Sequence, residues 1–219
     1  MIKTAMILAA GRGERLRPYT DKVPKPLLPI DGVPMIVRLL MQLRSAGIER
    51  CVINTCYLAE QFIDVLGDGR AYGVDILWSH ETIMLGAGGG IVHAAPLLGQ
   101  APFLLVSGDV VCDYDFKSLL QRGLHEHLLH AVMVLNPPYH HQGDWGIKEG
   151  KLMLTVKQKY TFGAIALINP CVLITPAYSM TELFQSAIAS GQASGELYTG
   201  VYYNVGTVTE YEWLINGMV

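Results

Sequence analysis

Short apolar runs alternate with stretches whose apolar residues recur three or four positions apart. The runs indicate buried strands, and the wider spacing indicates helices with one buried face. Strands that alternate with helices favour an α/β fold, with a mainly parallel Rossmann-like sheet between two layers of helices. Strands are predicted at 5–8, 51–54, 75–79, 103–107, 131–135, 161–168 and 201–205, and helices at 34–46, 58–66, 91–98, 115–129 and 181–190, with a last helix after Gly206-Thr207.

Composition narrows the class of protein. The chain has 219 residues, 51% of them hydrophobic, so one domain spanning 1–219 can bury a large core. A net charge of -3 gives no support for nucleic-acid binding, and no apolar segment is long enough for a signal peptide or a membrane span. Four cysteines without a Cys-x-x-Cys pair indicate buried thiols in a reducing compartment, so a cytoplasmic protein is expected.

The segment after the first predicted strand carries the most chemical information. Glycines let a ligand approach the backbone, and successive amides in such a turn can point at one anion. Five Arg and Lys side chains of this segment add positive charge that would attract an anion. Its prolines keep the segment out of a regular helix. A long, rigid, basic loop that binds a polyphosphate is therefore predicted. The segment reads Leu8-Ala9-Ala10-Gly11-Arg12-Gly13-Glu14-Arg15-Leu16-Arg17-Pro18-Tyr19-Thr20, then Asp21-Lys22-Val23, then Pro24-Lys25-Pro26-Leu27.

Spacing excludes two common phosphate-binding loops. A Walker-type loop needs a glycine, four residues and then Gly-Lys-Ser/Thr, which the segment does not contain. The dinucleotide-binding fingerprint needs a third glycine three residues after Gly13, where Leu16 stands. The loop must therefore hold its anion in a different way from both.

A second glycine-rich segment, Gly86-Ala87-Gly88-Gly89-Gly90, directly precedes a helical pattern. Glycines at a helix N-terminus offer amides to polar groups, so contact with a ligand is expected there. Asp109 follows the strand predicted at 103–107, and ligands of parallel sheets collect beyond the carboxyl ends of strands. An aspartate after a strand is more often a turn or a cap. Two glycine segments at the same edge of the sheet favour a carboxylate that holds Mg²⁺.

The basic segment resembles the opening motif of the sugar-1-phosphate nucleotidyltransferase family. That motif, Leu-Ala-Ala-Gly-x-Gly-x-Arg-Leu-x-Pro-x-Thr followed by Pro-Lys-Pro-Leu, is met from Leu8 to Thr20 and from Pro24 to Leu27. The resemblance implies a nucleotide-diphospho-sugar transferase fold, with a nucleotide-binding part at about 1–112 and a sugar-binding part at about 113–219. It also implies an enzyme that converts a nucleoside triphosphate and a sugar 1-phosphate into a nucleotide sugar and pyrophosphate.

The resemblance assigns roles to individual residues. Lys25 is expected at the α-phosphate, where it stabilises the transition state, and Arg15 at the β- and γ-phosphates. Asp109 and Asn204 are expected to hold Mg²⁺. The nucleotide is expected to contact Leu8, Ala9, Ala10, Gly11, Arg12, Gly13, Gly88, Gly89 and Asp109, and the sugar phosphate to contact Asn136, Asp144 and Glu196.

The second half of the chain narrows the resemblance. Asn136-Pro137, Gly143-Asp144, Ser194-Gly195-Glu196 and Val205-Gly206-Thr207 resemble a branch of short uridylyltransferases that use N-acetylmuramate 1-phosphate in cell-wall recycling. UTP is therefore the favoured nucleotide, with GTP as an alternative. Neither nucleic acid nor membrane is an expected partner, and a monomer or a small homo-oligomer is expected.

Three departures from the family pattern keep alternatives open. Gly86-Ala87 replaces the Thr or Glu-Thr that precedes the glycines in close relatives, and Gly163-Ala164 replaces a Ser-Gly pair in the expected sugar region. Both leave room for a guanylyltransferase acting on mannose or heptose 1-phosphate. Asn204 stands where the family has a metal-binding aspartate, and an amide brings no charge to the metal. A nucleotide-binding sensor without catalytic activity therefore also stays open.

Overall fold

Strands and helices alternate along the computed structural model, which describes residues 2–174 and 179–217. In that part of the chain, no helix is both long and apolar enough to cross a bilayer. The strands are β1 (Thr4–Leu8), β2 (Pro29–Ile30), β3 (Val33–Pro34), β4 (Arg50–Thr55), β5 (Asp75–His80), β6 (Phe103–Ser107), β7 (Val110–Cys112), β8 (Leu129–Val134), β9 (Gly146–Lys148), β10 (Lys151–Met153), β11 (Thr161–Ile168), β12 (Ala193–Leu197) and β13 (Tyr202–Asn204). The α-helices are α1 (Met35–Ala46), α2 (Ala59–Leu66), α3 (Gly86–Leu98), α4 (Phe116–Arg122), α5 (Met180–Ala189) and α6 (Val208–Gly217).

A nine-stranded sheet in the order β5-β4-β1-β6-β11-β8-β12-β10-β9 forms the central layer. The neighbours β5, β4, β1 and β6 are parallel, so their carboxyl ends meet at one edge of the sheet. Antiparallel pairing enters at β11, which lies between β6 and β8, and again at β10. The predicted mainly parallel α/β fold is therefore confirmed, and every antiparallel pair of the nine-stranded sheet involves a strand from the second half of the chain.

Each face of the sheet has its own hydrophobic core. Ala5 and Ile7 of β1 join a cluster that includes residues of α1, α2 and α4. Met6, which points to the opposite face, joins a cluster that includes residues of α3 and α5. Strands covered on both faces read as continuous apolar runs, which is why the sequence pattern located them.

The helix predicted at 115–129 is wrong in its second half. α4 ends at Arg122, because Gly123 takes a left-handed φ of 65° and its amide donates to the carbonyl of Leu119 at 3.2 Å. Leu129, predicted as the last helical residue, is instead the first residue of β8 and is fully buried. An apolar residue at helical spacing can equally begin a buried strand, so the pattern alone did not separate the two.

The helix predicted at 91–98 begins earlier than expected. α3 starts at Gly86, so the glycine-rich segment forms its first turns. Gly90 lies so close to β4 that a Cβ there would come within 2.6 Å of Asn54 Nδ2. Tight packing against a polar side chain therefore accounts for the last glycine of the segment.

All four cysteines are free thiols. Cys51 and Cys112 are buried as expected, and burial raises the pKa of Cys51 to about 12, which keeps that thiol protonated. The expectation of burial is wrong for Cys171, which is exposed, and Cys56 is only partly covered.

Candidate active site

The carboxyl edge of the parallel strands holds a cavity of about 550 Å³. Ligands of open α/β sheets bind at this edge, and the volume suits a small-molecule ligand. Segments that follow β1, β5 and β6 supply most of its walls. The lining residues are Leu8, Ala9, Ala10, Gly11, Arg12, Gly13, Glu14, Arg15, Leu16, Lys25, Pro26, Asn54, Glu81, Met84, Gly86, Ala87, Ser107, Asp109, Met180 and Gly206.

The basic loop lines this cavity as a series of short 3₁₀ turns and does not enter an α-helix. Gly13 has a left-handed φ of 64°, and a Cβ at this position would lie 3.0 Å from both Lys25 Cβ and Thr20 Cγ2. The Thr20 hydroxyl donates to the Gly13 carbonyl at 2.8 Å. The predicted loop conformation is confirmed, and both the backbone angle and the close packing require glycine at position 13.

Lys25 and Asp109 meet in the wall of the cavity. Lys25 Nζ donates to Asp109 Oδ2, and the two side chains are only 13% and 14% exposed. Ser107 Oγ donates to Asp109 Oδ1 at 2.5 Å, so both carboxylate oxygens are held. Gly108 packs closely against the end of β1, because a Cβ there would lie 3.2 Å from the carbonyl oxygen of Leu8. A cation and a carboxylate are thus fixed beside the turn that follows β1.

Two exposed arginines of the loop lie over aromatic rings. The Arg12 guanidinium is 5.8 Å from the ring centroid of Tyr57, and the Arg15 guanidinium is 5.9 Å from that of Tyr139. Stacking on a ring leaves the in-plane N–H groups of a guanidinium available as donors. Both arginines can therefore offer hydrogen bonds to an anion in the cavity.

Two buried polar residues also line the cavity, and no sequence motif marks them. Asn54 is 3% exposed and Glu81 is 2% exposed. Asn54 Oδ1 accepts from the amide of Ala9 at 2.8 Å, and Asn54 Nδ2 donates to Glu81 Oε1 at 2.7 Å. The available sequence signal was a polar residue within or just after a predicted apolar strand, because such a residue reaches the ligand edge of the sheet.

Asn204 lies next to Asp109 on the neighbouring strand. It pairs with Val110 across β7 and β13, and the amide of Val205 donates to the carbonyl of Asp109 at 3.2 Å. Asn204 lines a second cavity of about 260 Å³. The structure thus brings the two predicted metal ligands to adjacent backbone positions, on the walls of neighbouring cavities.

Comparison with known proteins identifies the family. Residues 4–157 match the nucleotidyl transferase family. The chain belongs to this family. The N-acetylmuramate alpha-1-phosphate uridylyltransferase of Neisseria meningitidis is 40% identical over 215 residues, which cover 93% of each chain. The mannose-1-phosphate guanylyltransferase of Mycobacterium tuberculosis is 40% identical over 116 residues, which cover 53% of this chain and only 32% of that relative.

Solved structures share the fold of this nucleotidyltransferase. HddC from Yersinia pseudotuberculosis, complexed with GMP-PN, superposes with a TM-score of 0.81 at 20% identity, and 100% of each chain is covered. UDP-glucose pyrophosphorylase, complexed with UDP-glucose, superposes with a TM-score of 0.80 at 19% identity, covering 100% of this chain and 98% of that one. At these identities the likeness concerns the fold alone.

The second cavity of the nucleotidyltransferase has an aromatic wall. Burial, reinforced by the nearby Glu210 carboxylate, raises the pKa of Tyr139, so its hydroxyl stays neutral and can donate a hydrogen bond. Aromatic faces and a few polar tips suit a sugar ring, which has both apolar C–H faces and hydroxyls. The lining residues are Val134, Leu135, Pro137, Tyr139, Thr161, Phe162, Tyr202, Tyr203, Asn204 and Glu210.

Asn136 and Asp144, predicted to contact the sugar phosphate, brace the loop that flanks this second cavity. Asn136 Nδ2 donates to the carbonyls of His141 and Lys159, and its Oδ1 accepts from the Thr161 hydroxyl. Asp144 Oδ2 accepts from the amide of Phe162 at 2.8 Å. Neither side chain belongs to the lining of the two cavities described above.

Glu196 and two of the predicted nucleotide-binding glycines are not among the residues that line the two cavities. Glu196 accepts a hydrogen bond from the Tyr114 hydroxyl, and its other oxygen is 3.5 Å from His130 Nε2. In the second glycine segment, Gly86 and Ala87 line the large cavity, whereas Gly88 and Gly89 lie further along α3. The roles predicted for these residues stay predictions.

Proposed function

We propose that this protein transfers a nucleotidyl group from a nucleoside triphosphate to a sugar 1-phosphate and releases pyrophosphate. The observation that carries the proposal is the pairing of Lys25 with Asp109 in the wall of the cavity that the basic loop lines. It sets a cation, and a carboxylate able to bind a metal ion, beside the glycine turn. Phosphoryl transfer relies on such positioning and charge stabilisation more than on covalent chemistry.

The reaction needs no general base, because the sugar phosphate is already an anion at neutral pH. One of its oxygens forms a bond to the α-phosphorus. The bond from that phosphorus to the bridging oxygen of the β-phosphate breaks, and pyrophosphate leaves with the electron pair. The work left to the protein is to hold two anions in line and to offset their repulsion.

The basic loop supplies the groups for that work. Lys25 contacts the α-phosphate and stabilises the charge that develops there, while Arg15 binds the β- and γ-phosphates. Arg12 and the backbone of Leu8, Ala9, Ala10, Gly11 and Gly13 hold the rest of the triphosphate, and Gly88 and Gly89 belong to the segment that faces the nucleoside. Support comes from the cavity, whose lining includes the whole turn from Leu8 to Leu16.

The donor set beside this loop fits Mg²⁺. Asp109 offers a carboxylate and Asn204 an amide oxygen, both of which are ligand types that Mg²⁺ accepts. Within residues 2–174 and 179–217, no cluster of three or more His, Cys, Asp or Glu side chains could hold a metal ion alone. That agrees with an ion that takes few protein ligands and completes its shell with substrate phosphates and water. When bound, it would offset negative charge on the phosphates.

UTP and N-acetylmuramate 1-phosphate are the proposed substrates. The uridylyltransferase of N. meningitidis is similar along 93% of both chains, whereas the mycobacterial guanylyltransferase is similar along about half of this one. The sugar occupies the aromatic second cavity, and Asn136, Asp144 and Glu196 act on its phosphate side or support that region. The nucleotide-binding part spans about 1–112 and the sugar-binding part about 113–219.

A cytoplasmic location follows from this proposal, because nucleoside triphosphates are made and used there. The free state of all four cysteines agrees with a reducing compartment. The protein acts without a nucleic-acid or membrane partner, as a monomer or a small homo-oligomer.

Pyrophosphate release tests the substrates directly. The purified protein is assayed with Mg²⁺ and with UTP, GTP, CTP or dTTP against N-acetylmuramate, mannose and heptose 1-phosphates. We expect the largest kcat/KM for UTP with N-acetylmuramate 1-phosphate. A preference for GTP with a mannose or heptose phosphate would instead support the guanylyltransferase alternative. Nucleotide binding without turnover on any pair would support the sensor, which the uncharged Asn204 motivates.

A further inference from the structure

A buried chain of hydrogen bonds joins the two segments that line the large cavity. It starts at the amide of Ala9 in the basic loop, which donates to Asn54 Oδ1 at 2.8 Å. Asn54 Nδ2 then donates to Glu81 Oε1 at 2.7 Å. The other oxygen, Glu81 Oε2, accepts from the amide of Leu85 at 3.1 Å, directly before α3. The path therefore crosses from the end of β1, through β4, to the start of the glycine-rich helix.

Burial makes this chain costly unless every member is paired. Asn54 and Glu81 are 3% and 2% exposed, and a buried polar group that loses its partner costs free energy. The backbone of α3 also packs closely against both side chains, because a Cβ on Gly90 would come within 2.6 Å of Asn54 Nδ2 and 2.7 Å of Glu81 Oε1. The positions of the four linked groups are thus set by each other.

We propose that Asn54 and Glu81 are positioning residues, which lock the triphosphate-binding turn and the start of α3 into one arrangement. The inference deepens the proposed function, because it takes the cavity to be the nucleoside triphosphate site. A displacement at Glu81 changes where Ala9 lies, and a displacement at Asn54 changes where Leu85 lies. Each binding segment therefore depends on the other, although neither Asn54 nor Glu81 needs to touch the phosphates.

The order of donors and acceptors allows a rescue experiment. In E81Q, two donors, Asn54 Nδ2 and the Leu85 amide, face a side chain with only one acceptor atom. In N54D, a carboxylate oxygen faces Glu81 Oε1, so two acceptors meet. In the double variant N54D/E81Q, the glutamine amide donates to the aspartate while its carbonyl accepts from Leu85, and every group is paired again.

Two probes separate the two ends of the bridge. Inorganic tripolyphosphate reports on the basic loop, and uridine monophosphate reports on both the base and one phosphate. Dissociation constants are measured by titration calorimetry. We expect each single variant to weaken tripolyphosphate binding by about tenfold, as an unpaired buried group would. The double variant should return to within about threefold of the unmodified protein.

Two further variants separate displacement of the bridge from a general loss of stability. Gly90→Ala places a methyl group against the bridge without altering its polar atoms, in a helix that tolerates alanine well. It should also weaken tripolyphosphate binding. Ile76→Ala truncates a buried side chain near the other end of β5. It should lower the melting temperature while leaving both dissociation constants unchanged, which a general loss of stability in the bridge variants would not match.

Two outcomes would overturn the proposed positioning role of Asn54 and Glu81. The first is normal tripolyphosphate binding in both E81Q and Gly90→Ala. If E81Q then also loses uridine monophosphate binding, Glu81 contacts the ligand itself. The other is a folded double variant that binds tripolyphosphate no better than the worse single variant. Both probes measure binding and do not require turnover. An inactive protein would therefore contradict the proposed reaction, and the test of the bridge could still be carried out. An unmodified protein that binds neither probe contradicts the nucleotide site itself.

Discussion

The charges of Lys25 and Asp109 neutralise each other in the wall of the large cavity. Their side chains are largely covered, so neither charge is well solvated, and each needs a counter-charge in the cavity wall. Under the proposed function, a triphosphate would supply the counter-charge for Lys25, and Mg²⁺ would supply the one for Asp109. The salt bridge would then hold both groups at the position proposed for substrate and metal.

Replacement of Lys25 by alanine tests the catalytic assignment. Lys25→Ala is expected to lower kcat by a factor on the order of 10²–10³, because a charge contact made in the transition state is lost. The control Lys22→Ala removes an exposed cation of the same loop and should change kcat little. Circular dichroism checks that both variants fold. A Lys25→Ala protein that keeps more than about a tenth of the rate contradicts the assigned role.

Replacement of Asn204 by aspartate tests the metal site. Asn204→Asp adds a carboxylate beside Asp109, so the Mg²⁺ concentration for half-maximal pyrophosphate release should fall by about tenfold. Asn204→Ala should raise it. If Asn204 is not a ligand, the Mg²⁺ dependence of all three proteins will coincide. Activity that appears only in the aspartate variant would favour the sensor interpretation of the unmodified protein.

Sequence motifs located some residues of the site and missed others for a physical reason. Lys25 was predicted because a loop that binds anions has a recognisable composition, and Asp109 because it follows a buried strand. Asn54 and Glu81 are far apart in sequence and become partners only because β4 and β5 are parallel neighbours that end at the same edge. A pairing of this kind depends on strand order, which a single sequence does not give.

At the scale of elements, the segment between β4 and α2, together with the start of α2, supports the basic loop through hydrogen bonds. The Tyr57 hydroxyl lies 3.0 Å from the carbonyl oxygens of both Thr20 and Asp21, and its ring lies under Arg12. Gln61 in α2 adds a hydrogen bond from its side-chain amide to the carbonyl of Lys22 at 2.8 Å. The segment from Tyr57 to Gln61 thus holds the middle of the basic loop, between its glycine turn and Lys25.

Removal of one hydroxyl tests this support. Tyr57→Phe keeps the ring under Arg12 but loses the hydrogen bond to the loop. We expect KM for the nucleoside triphosphate to rise by about threefold to tenfold, with a smaller change in kcat, because a loosened loop binds phosphates less well. Tyr72→Phe is the matched control, since its hydroxyl donates to the Val65 carbonyl at 3.1 Å, outside the lining of the large cavity. Equal effects of the two variants would show that Tyr57 does not position the loop.

Glu196 lies on β12, next to β8, and the pKa of its carboxyl group is lowered. The main cause is the imidazole of His130, and the hydrogen bond from the Tyr114 hydroxyl lowers this pKa further. A carboxyl whose pKa is lower in the folded protein stabilises the fold above its ordinary pKa of about 4.5. That stabilisation is lost as the pH falls below this value.

Thermal unfolding between pH 6 and pH 3 tests the role of Glu196. Glu196→Gln should melt at a lower temperature than the unmodified protein at pH 6, and the difference should shrink as the pH falls. The effect is modest, because the side chain is 41% exposed. The exposed Glu126→Gln serves as the control and should show no such convergence. If Glu196→Gln also raises KM for the sugar phosphate, the role predicted from sequence is supported as well.

Element boundaries show where sequence patterns stop being informative. The strands at 103–107 and 161–168 were predicted with the bounds that the structure has, because burial on both faces leaves a continuous apolar run. The helix predicted at 115–129 was too long, because the chain leaves the helix after Arg122 and Leu129 begins a strand of the sheet. Short strands such as β2 and β9 escaped notice, since a few residues carry little periodicity.

At the scale of the whole molecule, the two parts of the chain share their cores. The cluster on one face of the sheet joins Ile53 to Ile165, and the cluster on the other joins Val52 to Phe184. β6 pairs with β1 on one side and with β11 on the other, so residues 1–112 and residues 113–219 are continuous through the sheet. Neither part can bury its apolar surface alone.

Cooperative unfolding of the full chain follows from these shared cores. Trp78 lies in the first part and Trp145, buried to 2% exposure, in the second. Two variants, one with Trp78 and one with Trp145 as its single tryptophan, are unfolded in urea and followed by fluorescence. Unfolding of the unmodified protein is followed by circular dichroism. We expect the midpoints to coincide after correction for the stability of each variant, because separation of β6 from β11 exposes both cores together.

The isolated fragment 1–112 provides the complementary test. It retains β5, β4, β1 and β6 but loses β11, and with it the residues that cover β6 and the partners of Leu105 and Val106. An uncovered parallel strand at the edge of a sheet leaves backbone groups unpaired and apolar side chains in water. We therefore expect a fragment that aggregates or lacks a cooperative transition. A soluble fragment with its own sigmoidal unfolding curve, or clearly separate midpoints for the two tryptophans, would mean that residues 1–112 form an independent folding unit.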